Sequence, residues 1–226
     1  MPPLSAEDTN VKTNKESNQR ILFIGNSFTA RNGLPDLIAQ LAAANGKGVE
    51  HRLISAGGAS LRRHWNAGEA LNAIQTGHFH HVVLQEQSTL PIKNPTRMHE
   101  SVRLFDASIK AARATTVLYM TWARRSAPES QQAITDAYIS IGRELGATLA
   151  PVGLAWQRFL RGHNTPALHE RDQSHPTLAG SYLAACVFVA VLLKRSPVET
   201  GAGIAGLTNS DRMQLEQVAW QTCQEF

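Results

Sequence analysis

Three side chains far apart in the chain, Ser27, Asp172 and His175, offer the clearest chemistry in this sequence. A serine hydroxyl is a poor nucleophile at neutral pH and needs a base beside it to take its proton. Histidine suits that task, because it changes charge near neutral pH. The imidazole in turn needs a carboxylate on its other ring nitrogen, which fixes the tautomer and stabilises the imidazolium. Asp172-Gln173-Ser174-His175 sets that carboxylate three residues before the base, within one turn of chain. Taken singly, each residue has a plainer use. Ser27 could cap a turn, Asp172 could cap a helix, and His175 could be an exposed loop residue. Together they spell a nucleophile, a base and an orienting acid for acyl transfer.

The elements around them must bring these groups together. Ser27 follows Ile21-Leu22-Phe23-Ile24-Gly25, which reads as a strand buried on both faces and ending in a sharp turn at Gly25. The hydrophobic pattern predicts strands at about 20–25, 49–55, 81–85, 115–121 and 147–152. Helices are predicted at about 34–44, 60–74, 98–112, 129–145, 154–161, 176–193 and 210–224, with 163–175 a polar loop. Pro176 suits the first position of the helix that follows His175. This alternation implies βαβ crossovers and a mostly parallel five-stranded sheet covered on both faces, an α/β fold. In such a sheet the loops leaving the C-terminal strand ends meet along one edge. Those exits are Asn26-Ser27, Gly57-Gly58, Gln85-Glu86-Gln87-Ser88 and Thr121-Trp122-Ala123-Arg124-Arg125, and the loop after the fifth strand leads to Asp172 and His175.

Acyl transfer also needs donors for the oxyanion of a tetrahedral intermediate. The backbone N–H groups of Ser27 and Gly57 and the side-chain amide of Gln87 are the candidates; Gly57-Gly58 reads equally as an ordinary strand-to-helix turn. Gln85 reads as a buried strand end, and Glu86 as a strand-end polar contact or a second acid. Arg124 and Arg125 could receive an acidic substrate group or lie solvated in a loop. Trp65 and Trp122 could line a pocket or pack beneath one. His80, His81, His163 and His169 lack metal-ligand spacing and read as surface or strand-start residues.

These blocks resemble the SGNH (GDSL-type) hydrolases. The Gly-Asp-Ser-like block reads Gly25-Asn26-Ser27, with Asn in place of the usual Asp. Gly57 matches the glycine of the second block. The third, commonly Gly-x-Asn-Asp, reads Gln85-Glu86-Gln87-Ser88, so Gln87 falls where the amide-bearing Asn would be, on a stem one methylene longer. Asp172-Gln173-Ser174-His175 matches the last block. The Gly-x-Ser-x-Gly elbow of α/β-hydrolases is absent, since position 29 is Thr. The resemblance implies a flavodoxin-like three-layer α/β/α sandwich and no cofactor. It also implies an ester substrate, often an acetylated sugar, a lipid or a thioester. On that basis Ser27, His175 and Asp172 are the expected catalytic residues, and Ser27, Gly57 and Gln87 the oxyanion donors. Asn26, Trp122 and Arg124 are the expected substrate contacts.

Size and composition narrow the function classes. A chain of 226 residues suits one α/β domain, expected over 20–226 after a polar, disordered tail at 1–19. The formal net charge of +4 comes without a basic run dense enough for a nucleic-acid footprint. Cys186 and Cys223 are the only cysteines, too few for a disulfide framework or a zinc site. The first 20 residues lack an apolar signal segment, and no apolar run is long enough to span a membrane, so a cytoplasmic location is expected. A non-catalytic flavodoxin-like binding module is the competing reading, as is an interaction protein on an inactive hydrolase fold. A binding module lacks a Gly-rich phosphate loop here and leaves Asp172 and His175 without work.

Overall fold

The computed structural model describes residues 18–198 and 201–226. Residues 1–17 of the predicted tail lie outside the described residues. Gln19, expected as the last tail residue, is instead the first residue of strand β1 (Gln19–Gly25), where its N–H donates to the Gly48 carbonyl at 2.8 Å. Four further strands follow: β2 (Val49–Ser55), β3 (His81–Leu84), β4 (Thr115–Tyr119) and β5 (Thr148–Ala150). They pair in the order β2-β1-β3-β4-β5, every pair parallel. This is the doubly wound arrangement in which the order reverses at β1, and β1 is the strand that delivers Ser27.

The two faces of β1 explain its continuous apolar run. Ile21 and Phe23 point into one core, formed with α2 (Leu34–Ala44), α8 (Val152–Gly162), α9 (Leu178–Leu193) and α10 (Asn209–Glu225). Leu22 and Ile24 point into the other, formed with α3 (Leu61–Ala67), α4 (Glu69–Thr76), the short α5 (Leu90–Lys93), α6 (Pro95–Ala111) and α7 (Gln131–Leu145). Helix α9 is apolar all round because it is enclosed, packing on α2, α8 and α10 with Cys186 fully buried. Among the described residues no helix is long and apolar enough to cross a membrane.

Of the expected helices only 34–44 keeps its bounds; most of the others shift by one to three residues at an end, and two differences have clear local reasons. The helix predicted over 60–74 is broken into α3 and α4 at Gly68, whose φ of +77° both closes α3 and redirects the chain. The helix predicted from Pro176 starts at Leu178, because Thr177 is its N-cap and its hydroxyl accepts the Gly180 N–H at 3.2 Å. Pro176 instead pairs with His169 in an isolated antiparallel bridge.

Candidate active site

The first strand exit is held open by a glycine. A Cβ on Gly25 would meet Gln85 Oε1 and Thr29 Oγ1, each at 2.6 Å. That close approach lets Gln85, fully buried, accept from the Asn26 N–H at 2.8 Å and the Thr29 hydroxyl at 3.0 Å. Its amide nitrogen donates to the Glu86 carbonyl. Asn26 then caps the short helix α1 (Ser27–Ala30), its Oδ1 accepting the Phe28 N–H at 3.0 Å while its Nδ2 donates to the Ala59 carbonyl at 3.0 Å. Ser27 is thus the first residue of a turn fixed from both neighbouring exits. Asn26 is 3% exposed with both ends of its amide engaged, so the expected substrate contact gives way to a scaffolding role.

Ser27 Oγ lies 2.8 Å from His175 Nε2, across 148 residues of sequence. His175 Nδ1 lies 2.5 Å from Asp172 Oδ2. The second oxygen of Asp172 accepts the Ser174 and His175 N–H groups at 3.0 and 2.9 Å. These backbone donors, together with the His175 ring, hold the Asp172 carboxyl well below the usual carboxylate range. It therefore stays ionised beside the imidazole. The geometry permits proton transfer from the serine hydroxyl to Nε2, with the Nδ1–H directed at a carboxylate.

The loop carrying Asp172 and His175 is anchored rather than loose. Glu170 N–H donates to the His175 carbonyl at 2.8 Å, and Gln173, with φ of +62°, makes the tight turn between them. Arg125 N–H donates to the Gln173 carbonyl at 2.9 Å. Trp122 Nε1–H donates to the Ser174 carbonyl at 3.0 Å. The Trp122 ring is stacked between Phe28 (4.8 Å between centroids) and Trp156 (3.7 Å), and Phe28 meets the His175 ring edge-on at 5.4 Å. At 2% exposure, Trp122 packs in this stack and positions the histidine loop, while also lining a cavity beside Thr89 and Arg124.

Two further residues escaped the sequence. Asn32 Nδ2 donates to the Pro176 carbonyl at 3.0 Å and to Ser181 Oγ at 2.9 Å, tying the serine segment to the histidine segment. Its φ of +56° is the only local signal it leaves, and that is a backbone property. His169, expected at the surface, is 6% exposed, stands edge-on to Trp156 and has Nε2 3.1 Å from the Ala123 carbonyl. Burial lowers its pKa, so it serves as a neutral prop.

The proposed donors lie on adjacent exits. Gly25 pairs with Ser55 and Ile24 with Leu84, so Ser27, Gly57 and Gln87 each leave the sheet within three residues of paired positions. Gln87 Oε1 accepts the Thr89 N–H and hydroxyl at 2.9 and 3.0 Å, which fixes the carboxamide and leaves Nε2 as its free end. Among the described residues, the Ser27 N–H, the Gly57 N–H and Gln87 Nε2 have no protein acceptor. Arg124 is exposed and stands between two cavities. One of about 250 Å³ is lined by Thr89, Ile92, Trp122, Arg124 and Ile134. The other, about 240 Å³, includes Arg125, Trp156, Arg161 and His169.

No family sequence model matches the chain, and no curated protein sequence matches it either. Solved structures do. A candidate SGNH hydrolase from Slackia heliotrinireducens is 30% identical, with 78% of this chain and 100% of that one covered and a TM-score of 0.68. A DUF4886 family protein from Bacteroides uniformis is 20% identical over 92% of this chain and 95% of its own, with a TM-score of 0.75. A mutant acetyl-xylooligosaccharide esterase from Geobacillus is 16% identical over 78% of this chain and 94% of its own, with a TM-score of 0.56. The latter two likenesses speak to the fold. With the first relative matched along its whole length, the chain belongs to the SGNH hydrolase family.

Proposed function

We propose that this hydrolase is a serine esterase that removes a small acyl group, acetyl foremost, from a carbohydrate alcohol. The observation that carries this reading is the 2.8 Å approach of Ser27 Oγ to His175 Nε2, with Asp172 2.5 Å behind the ring. His175 takes the Ser27 proton as Oγ attacks the ester carbonyl. The resulting oxyanion receives hydrogen bonds from the Ser27 and Gly57 N–H groups and from Gln87 Nε2. Collapse breaks the bond to the alcohol oxygen, which leaves with the proton from His175. A water then gives its proton to His175 and attacks the acyl-enzyme, releasing the acid and restoring Ser27. The small-acyl preference is supported by the lack, among the described residues, of long apolar loops for a lipid tail; the cavity of about 250 Å³ on the third and fourth strand exits is lined by Ser88, Trp122 and Arg124. The carbohydrate preference follows the family habit and the acetyl-xylooligosaccharide esterase among the fold neighbours. Arg124, exposed at the rim of that cavity, is the remaining candidate for substrate contact.

A fluorophosphonate probe tests the reading without the natural substrate. Covalent labelling at Ser27, lost in Ser27→Ala and His175→Ala together with hydrolysis of p-nitrophenyl acetate, is the expected result. Unlabelled wild-type protein with no ester turnover would return the chain to the non-catalytic reading.

A further inference from the structure

The mechanism above leaves unused one fully buried ionisable side chain at the same sheet edge, Glu86. Its Oε1 accepts two backbone donors from different exits, the Gln87 N–H at 2.6 Å and the Leu61 N–H at 3.0 Å. Leu61 opens α3, directly after the loop that carries Gly57. The same loop is held at Ala59 by Asn26 Nδ2. We propose that Glu86 is a positioning residue: its carboxyl ties the second strand exit to the third and thereby sets the spacing of the Gly57 and Gln87 donors. This rests on the esterase reading, because it assigns those donors to an oxyanion.

The surroundings favour a neutral acid in that place. Burial pushes the Glu86 carboxyl up to about 7, against the opposing pull of the Gln87 and Leu61 N–H groups and of Arg97 on α6. Oε1 already accepts two hydrogen bonds, so the proton belongs on Oε2, which is buried without a hydrogen-bond partner. Two further side chains stand nearby. Tyr138 on α7 faces Glu86 and Thr121, and burial raises its pKa far above neutrality. His64 on α3 has Nε2 2.7 Å from the Gly25 carbonyl. Ionised, Glu86 would set a buried negative charge against the Gln87 backbone, with Oε2 lacking a hydrogen-bond donor. There it would oppose the negative charge that develops on the oxyanion. The rate should therefore fall on the alkaline side as Glu86 loses its proton.

The test is kcat and KM for p-nitrophenyl acetate across about pH 5 to 9, with thermal melts, for wild type, Glu86→Ala and Glu86→Gln. Glu86→Ala should lower kcat by about 10- to 100-fold, since a displaced donor acts on the transition state, with KM within about twofold. Glu86→Gln keeps the acceptor oxygen and cannot ionise. It should return kcat to within about threefold of wild type near pH 6 and lack the alkaline fall. Wild-type kcat in Glu86→Ala, or an unchanged alkaline fall in Glu86→Gln, overturns the proposal. If Glu86→Ala does not fold, the pH profile of Glu86→Gln decides. Absence of turnover in wild type strikes the esterase reading instead. In that event the Leu61 and Gln87 amide NMR shifts still test the Glu86 link. They should titrate with a midpoint near 7 in wild type and stay flat in Glu86→Gln.

Discussion

Two carboxyls sit at the same edge of one sheet, and their surroundings drive them in opposite directions. Asp172 is 45% exposed at its side chain and accepts from two backbone N–H groups and an imidazole, so its carboxyl is held far down. Glu86 is fully buried, also accepts from two N–H groups, and is nonetheless pushed up to about 7. The number of backbone donors is the same, so it does not decide the outcome. What differs is access to water and the presence of a titratable partner. The edge therefore has two tiers. An open row of Ser27, His175 and Asp172 can exchange protons, while a buried row of Asn26, Gln85 and Glu86 fixes the backbone from which that chemistry is done.

The sharpest way to break this division is to alter charge in the open row alone. Asp172→Asn keeps an oxygen for the Ser174 and His175 N–H groups but no longer secures the imidazole tautomer. Esterase kcat should drop on the order of 10⁴-fold, while urea unfolding at pH 7 loses only the modest contribution of a half-exposed carboxylate. The sign of the acid dependence follows from the same shift. A carboxyl depressed in the folded state contributes stability above the unfolded carboxylate range, and that contribution is lost as pH falls through and below it. A variant that unfolds at neutral pH would place Asp172 in the structural tier instead.

The buried row predicts the opposite sign. Glu86 is raised from 4.5 to about 7, so between those values the folded state binds a proton that the unfolded state has released. Stability must then decline as pH rises through that window, by about 3 kcal/mol at the upper end. Urea unfolding of wild type at about pH 5 and 8 should show the decline, and Glu86→Gln should remove most of it. Equal pH slopes for the two proteins would refute the assignment.

The division also explains what the sequence could reveal. The central strands β1, β3 and β4 are mostly buried and appear as largely apolar runs, whereas the edge strands β2 and β5 are half-exposed and were legible only from a few apolar residues such as Val49, Leu53 and Ile54; Ser27, Asp172 and His175 stood out because their types are rare in combination. Ser27 and His175 announce chemistry because the role proposed for them lies in the side chains themselves. Asn32 and Trp122 act through the Pro176 and Ser174 carbonyls of the histidine loop, and His169 through the Ala123 carbonyl on the fourth strand exit, and a carbonyl leaves no mark on a residue string. Asn26 was legible as a departure from the Gly-Asp-Ser block, but the reason for it was not. The reason is an acceptor, the Ala59 carbonyl, 33 residues away. Restoring the family's usual residue should therefore harm this chain. Asn26→Asp would oppose a carboxylate oxygen to that carbonyl, at a cost of about 1–3 kcal/mol. Thermal unfolding decides this, and a variant as stable as wild type would show that Ala59 does not need the donor.

The smallest expected effect tests where the two tiers meet. Trp122 belongs to the buried stack through its ring and to the open row through one hydrogen bond to the Ser174 carbonyl. Trp122→Phe retains an aromatic ring between Phe28 and Trp156 and deletes only the donor. The lost hydrogen bond should lower stability by about 1 kcal/mol. Its effect on catalysis should be larger than that energy suggests, because Ser174 immediately precedes the base. If the stack alone sets the position of His175, kcat will be unchanged. If the indole N–H is what holds the loop in register, kcat should fall about tenfold with KM little altered. Trp122→Leu, which removes both stack and donor, separates the two contributions, since only the stacking loss should add a substantial fall in melting temperature.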